Sequence, residues 1–216
     1  MMSFIFHMTA LAGECFLDYL ALLPFLLIIE ILTYFYYKKK GLVLSLGFLI
    51  GWQILVGALC AIFYITGTAG LPEVLLNGFS LIRKDEVNLI PFSDGMEALF
   101  GLCMNCLLFL PIGFLTPFLW EKNGSFSRTL LTGFTFSLLI EISQLFNFRA
   151  TDIDDLIMNT LGTALGFGLY RLLFRKHASL QAAPGSALCT ILILFSLYFL
   201  AGIPYLNVIH RLYYGF

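Results

Sequence analysis

At 216 residues, 60% hydrophobic and 12% charged, with a mean hydropathy of +0.92, the chain is too apolar for a water-soluble domain. Such domains carry charge on about a quarter of their residues. A formal net charge of −1 and the lack of any basic tract exclude a nucleic-acid partner.

The predicted elements are apolar helices. A bilayer core takes about 20 apolar residues of helix, and six runs meet that length: 18–37, 42–66, 98–120, 128–148, 155–174 and 187–206. The expected fold is therefore all-α, a polytopic membrane helix bundle of about six transmembrane helices. It forms one integral membrane domain over 1–216, multi-pass in the cell membrane. Met1 to Phe16 is apolar but has no positive flank, and Asp18 leads straight into the first long run. This predicts a short interfacial helix before the first span rather than a cleaved signal peptide. Within helix one, Glu30 stands two turns before Lys38, which reads as a structural pairing.

Orientation follows from the basic residues. Lys38, Lys39, Lys40, Lys122, Arg128, Arg171, Arg175 and Lys176 fall on one side if both termini lie on the other, which keeps Arg83, Lys84, Arg149 and Arg211. The larger set belongs in the cytoplasm, so both termini are expected to face outward.

Between helices two and three runs a long outer segment, Gly67 to Glu97. Its apolar part, Val74 to Ile82, is too short to span and predicts an interfacial or re-entrant piece. "NLIPF", Asn88 to Phe92, just precedes helix three, and its proline fixes the chain direction there, as a wedge over the helix mouths. Helix three carries Cys103 and Cys106 as C-x-x-C, with no second pair and no histidine nearby. Free cysteine packs as a small hydrophobe, so no metal site is expected from them.

Polar residues inside spans usually face protein or water, because at mid-bilayer an ionisable group costs roughly 2.5–3.5 kcal/mol. Glu141 and Gln144 share one face of helix four. At about 1.5 Å per residue, Glu141 lies about 10 Å below the outer boundary and Asn105 at a similar depth, with Asn159 about 6 Å down. Helix five adds Asp152, Asp155, Asn159, Gly162 and Gly166 at spacings of three and four, one continuous stripe. The glycine half of that stripe allows close approach of a neighbouring helix. Asp154 falls off the stripe and is expected to face solvent or headgroups. Part of this charge has a plain structural use: Asp152 as N-cap, Asp155 in the first turn on the positive end of the helix dipole, and Asn159 bonded to a neighbour. Capping does not require Arg149 and a buried Glu141 to converge on the same end, however. The pattern predicts a polar pocket enclosed by outward helix mouths.

Four ordered motifs, "NLIPF" at 88–92, "NCLLFLPIGF" at 105–114, "EISQ" at 141–144 and "RATDIDDLIMNTLGTALG" at 149–166, resemble the VanZ-like family of integral membrane proteins, over residues 83–174. Carried over by motif, the family's polar positions fall on Asn88, Asn105, Glu141, Gln144, Arg149, Asp152, Asp155 and Asn159, the expected ligand-binding set. Where the family often has an aromatic before its first aspartate, this chain has Thr151. The resemblance implies a bacterial envelope role connected with reduced sensitivity to teicoplanin-type lipoglycopeptides. Expected partners are membrane lipids and either a lipid-linked wall precursor or the lipoglycopeptide itself. Two functions follow. One is a binding protein with an outward pocket for an amphiphilic or lipid-linked ligand. The other is an enzyme acting on a lipid or polyprenyl-linked headgroup, with Glu141, Asp152 and Asp155 as catalytic candidates. In the second, these three carboxylates bind Mg²⁺ or a buried Glu141 serves as acid or base, and Arg149 clamps a phosphate.

Overall fold

A computed structural model of the protein describes residues 2–39, 41, 45–71, 74–75, 87–93, 95, 99–146, 151–174 and 186–214. Among these lie six helices: α1 (Met2–Lys39), α2 (Leu46–Thr66), α3 (Leu99–Leu119), α4 (Phe126–Gln144), α5 (Ile153–Leu173) and α6 (Ala187–Tyr214). A single 3₁₀ turn, Glu121–Gly124, joins α3 to α4. Two-residue strands β1 (Val87–Asn88) and β2 (Thr151–Asp152) pair in parallel, Val87 with Thr151 and Asn88 with Asp152. The fold is all-α apart from this clasp.

Three helices, α2, α3 and α5, are each 21 residues long and apolar enough to cross a membrane. At about 1.5 Å per residue each reaches about 30 Å, the thickness of the hydrocarbon core. The outward face of α5 agrees, with Ile157, Leu161, Leu165 and Leu169 in an exposed apolar stripe, and α4 carries a similar stripe of Leu131, Phe134, Leu138 and Ile142. In water such stripes are unfavourable, whereas against lipid they are the expected surface.

The ends of α2 show how local sequence sets boundaries. Ser45 caps its start by accepting the Phe48 N–H at 3.1 Å, so the helix begins at Leu46 rather than at the edge of the apolar run. Gly67 closes it in the left-handed conformation, φ 63°, which glycine adopts without strain. The interfacial helix expected over Met1 to Phe16 is not separate: α1 runs unbroken for 38 residues. The physical reason is that Asp18 interrupts hydrophobicity but not backbone hydrogen bonding, and even Pro24 lies inside the helix. The expected interfacial or re-entrant piece at Val74 to Ile82 lies largely outside the described residues.

The core sits where α2, α3, α4 and α6 meet. Phe63, Phe109 and Phe136 are fully buried there, Phe63 lies 5.6 Å from Phe136, and Phe63 stacks on Tyr198 at 4.1 Å. On the other flank α3 and α5 form the most extensive helix pair. A Cβ at Gly162 would run into the Cys106 carbonyl oxygen, and one at Gly113 into that of Thr163. The glycine half of the predicted stripe thus brings two backbones into direct contact, as small-residue interfaces do in membranes. Glu30 is tied to α2 rather than to Lys38: Gln53 donates to it at 2.5 Å and itself accepts from the Tyr19 hydroxyl at 2.6 Å. Lys38 instead lies over the Tyr34 ring, 5.8 Å from its centre.

Candidate functional site

The site lies where α4 ends and α5 begins. Asp152 caps α5, its carboxylate accepting the Asp154 N–H at 2.9 Å. Asp154 and Asp155 then occupy the first turn, where the dipole favours negative charge. Glu141, 5% exposed, reaches across from α4 and accepts the Asp152 N–H at 3.1 Å. The Thr151 hydroxyl donates to the Glu141 carbonyl at 3.3 Å. The β1–β2 clasp brings in the segment before α3. Asn88 donates to the Asp152 carboxylate at 3.3 Å and to the Ser93 hydroxyl at 2.7 Å, while its side-chain oxygen accepts the Ile90 N–H at 3.1 Å. From α3, Asn105 donates to Asp155.

Asp154 is placed differently from expectation. It is 3% exposed, and both of its carboxylate oxygens accept the Phe92 N–H, at 2.9 and 3.0 Å. Helical periodicity on α5 alone does not register what another segment lays over it. The segment before α3 wraps over the helix mouth and supplies a donor to the face that periodicity assigned to solvent. Phe92 sits in the left-handed region at φ 58°, unusual for a bulky residue, and the two-oxygen acceptor holds it there. "NLIPF" is therefore strapped to Asp152 through Asn88 and to Asp154 through Phe92, with Leu89, Ile90 and Phe92 exposed.

Deeper in, α4 presents Ser137, Glu141 and Gln144 on one inner face, all buried. Asn159 of α5, 1% exposed, donates to the Ser137 hydroxyl at 2.9 Å. Gln144, 3% exposed, donates to the Thr66 carbonyl at the end of α2 at 2.8 Å, and next to it the Ser143 hydroxyl accepts the Ala69 N–H at 3.2 Å. The opposite ends of both amides are different. Gln144 Oε1 and Asn159 Oδ1 are buried with no hydrogen-bond partner among the described residues. Native interiors rarely tolerate that without a reason.

Of the eight positions predicted for ligand binding, Asn88, Asn105, Glu141, Gln144, Asp152, Asp155 and Asn159 come together at the α3–α4–α5 mouth, and Arg149 lies outside the described residues. The sequence reading missed Asp154, Ser137 and Thr66. Ser137 had a signal, one turn before Glu141 on the same face; the Thr66 carbonyl had none. Asp155 and Asp152 each stand within electrostatic reach of Glu141. Yet among the described residues no group of three acidic, histidine or cysteine side chains is arranged to hold a metal ion. The Mg²⁺ set of Glu141, Asp152 and Asp155 is not assembled, because their oxygens turn to the Asp152 N–H, to the Asp154 N–H and Asn88, and to Asn105. Cys103 and Cys106 are free thiols, the first exposed and the second buried.

Neither the curated proteins nor the solved structures contain a match to the chain. The family model VanZ/LLP1 matches residues 54–175, from the middle of α2 to the end of α5, and so covers every residue of the mouth just described. With more than half of its length matched, this apolar chain is a membrane protein that belongs to the VanZ/LLP1 family.

Proposed function

We propose that the α3–α4–α5 mouth is an outward-facing pocket that binds the headgroup of an amphiphilic or lipid-linked ligand. By binding it, the protein lowers sensitivity to teicoplanin-type lipoglycopeptides at the envelope. In this reading all six helices cross the cell membrane and both termini face outward, which sets the mouth in the outer leaflet. The observation that carries it is the pair of buried acceptors without a partner among the described residues, Gln144 Oε1, one turn from Glu141 on α4, and Asn159 Oδ1, whose amide bonds Ser137 one turn the other way. A buried acceptor left unmade costs about 1–3 kcal/mol, so it is an investment in a ligand that donates. Sugar hydroxyls and peptide N–H groups are such donors, and lipoglycopeptides and lipid-linked wall precursors are rich in both.

The test is expression in a glycopeptide-sensitive Gram-positive-type host. Reduced teicoplanin sensitivity is expected, together with its loss in Gln144→Leu and Asn159→Leu at unchanged protein level. A variant pair that keeps full protection removes the pocket from the function. Labelling of Arg149→Cys by an impermeant reagent from outside the cell tests the orientation; labelling only after permeabilisation reverses it.

A second reading is favoured by the proximity of the Glu141, Asp152 and Asp155 carboxylates: an enzyme acting on a lipid or polyprenyl-linked headgroup, with Arg149 on a phosphate. Purified protein incubated with envelope lipids then yields a new product, lost in Glu141→Gln and Asp155→Asn. Retained binding with no turnover decides for the binding protein.

A further inference from the structure

A cavity of about 370 Å³ lies between α1, α2, α6 and the end of α3, apart from the mouth and largely outside the family match. That volume is in the range of small-ligand sites. Its walls are aromatic and aliphatic, with Tyr37, Phe48, Trp52, Trp120 and Leu194 among them, and among the described residues Glu30 is the one charged side chain that lines it. The aromatic rings are fixed against each other: Trp120 meets Trp52 edge-on at 5.9 Å and Phe48 at 6.2 Å. Glu30 is also held in place, by the Tyr19–Gln53 relay that ends on its carboxylate. Lys38, the nearest basic residue along α1, is engaged with Tyr34. Trp52, 6% exposed, carries a buried indole N–H with no partner among the described residues.

A carboxylate and several aromatic rings lining one cavity form an arrangement that attracts an organic cation. The acid supplies charge, the ring faces supply cation–π attraction, and the aliphatic wall takes an apolar chain. A fatty acid meets repulsion there, and a neutral alcohol leaves the carboxylate uncompensated in a low-dielectric place. We propose that this cavity binds an amine-bearing amphiphile entering sideways from the bilayer, its ammonium on Glu30 and an oxygen near its head accepting the Trp52 N–H. The site is independent of the mouth and of its function.

The chain has two tryptophans, and both line this cavity, so intrinsic emission reports it directly. Full-length protein in phosphatidylcholine nanodiscs is titrated with dodecylammonium, dodecanol and dodecanoate. A saturable emission change is expected, with dodecylammonium at least tenfold tighter than the other two. In Glu30→Gln that preference falls to within about threefold of dodecanol, and Trp52→Phe, read through Trp120, weakens binding of dodecanol, whose oxygen accepts the indole N–H, but not of dodecylammonium, which has no oxygen. Equal or unsaturable responses to the three wild-type titrations overturn the proposal whether or not the variants fold. An undiminished preference in folded Glu30→Gln overturns it too.

Discussion

The Glu141 carboxylate accepts the Asp152 N–H at 3.1 Å, and the Glu141 carbonyl accepts the hydroxyl of Thr151, one residue earlier, at 3.3 Å. One residue near the end of α4 thereby fixes where α5 starts. Replacing Glu141 by Ala leaves the Asp152 N–H without its acceptor and is expected to destabilise the fold by about 1–3 kcal/mol. Glu141→Gln keeps an acceptor oxygen and is expected to lose less than half as much. Thermal unfolding in matched detergent checks the order, and equal losses would show that the charge, not the hydrogen bond, is what matters.

Asp154 holds the outer strap through the Phe92 N–H. Asp154→Ala is expected to raise hydrogen exchange at the Phe92 amide by at least tenfold while exchange in the middle of α5 stays unchanged. A bond to a charged acceptor contributes about 1.5–3 kcal/mol, which is ample for that change. Unaltered exchange at Phe92 would mean the strap is held elsewhere.

Gly162 and Gly168 make a controlled pair on α5. A Cβ at Gly162 collides with the Cys106 carbonyl, whereas one at Gly168 meets nothing within 4 Å. Gly162→Ala is expected to cost about 1–3 kcal/mol by overpacking, and Gly168→Ala to stay within about 0.5 kcal/mol of the parent. Unfolding of both variants in the same mixed micelle measures the difference; equal stability contradicts the backbone contact.

Cys103 and Cys106 report the lipid face of α3. In variants retaining one cysteine each, Cys103, exposed, is expected to react with a membrane-soluble maleimide at least tenfold faster than Cys106, which is buried. A charged, water-borne thiol reagent is expected to label neither quickly. Rapid labelling of Cys103 by the charged reagent would place that turn in water.

How much of this was legible in the sequence depends on how far apart the partners are. Asp152 as N-cap, the Gly162–Gly166 contact stripe and the shared face of Glu141 and Gln144 are local patterns, set by helical period, and the structure has them. Asp154 was misplaced because its partner, Phe92, is 62 residues away and approaches from outside the helix. Periodicity orients a side chain about one axis and is silent on what a loop lays over it. The same holds for Glu30, whose neighbour in sequence, Lys38, lost to Gln53 on another helix. The continuous α1 shows the complementary error: a break in hydrophobicity was read as a break in helix, although hydrogen bonding along the backbone does not depend on it.

The glycine contacts between α3 and α5 have a mechanical result. With Cys106 against Gly162 and Gly113 against Thr163, the two helices cannot slide or part without losing main-chain contact, and they behave as a single stiff plate. Asn105 and Asp155, one on each half of that plate, are hydrogen-bonded to each other across it. The α4 wall is pressed on the same plate where Gly133 meets the Thr163 side chain, so a ligand of the proposed pocket would enter at the Asn88–Phe92 strap.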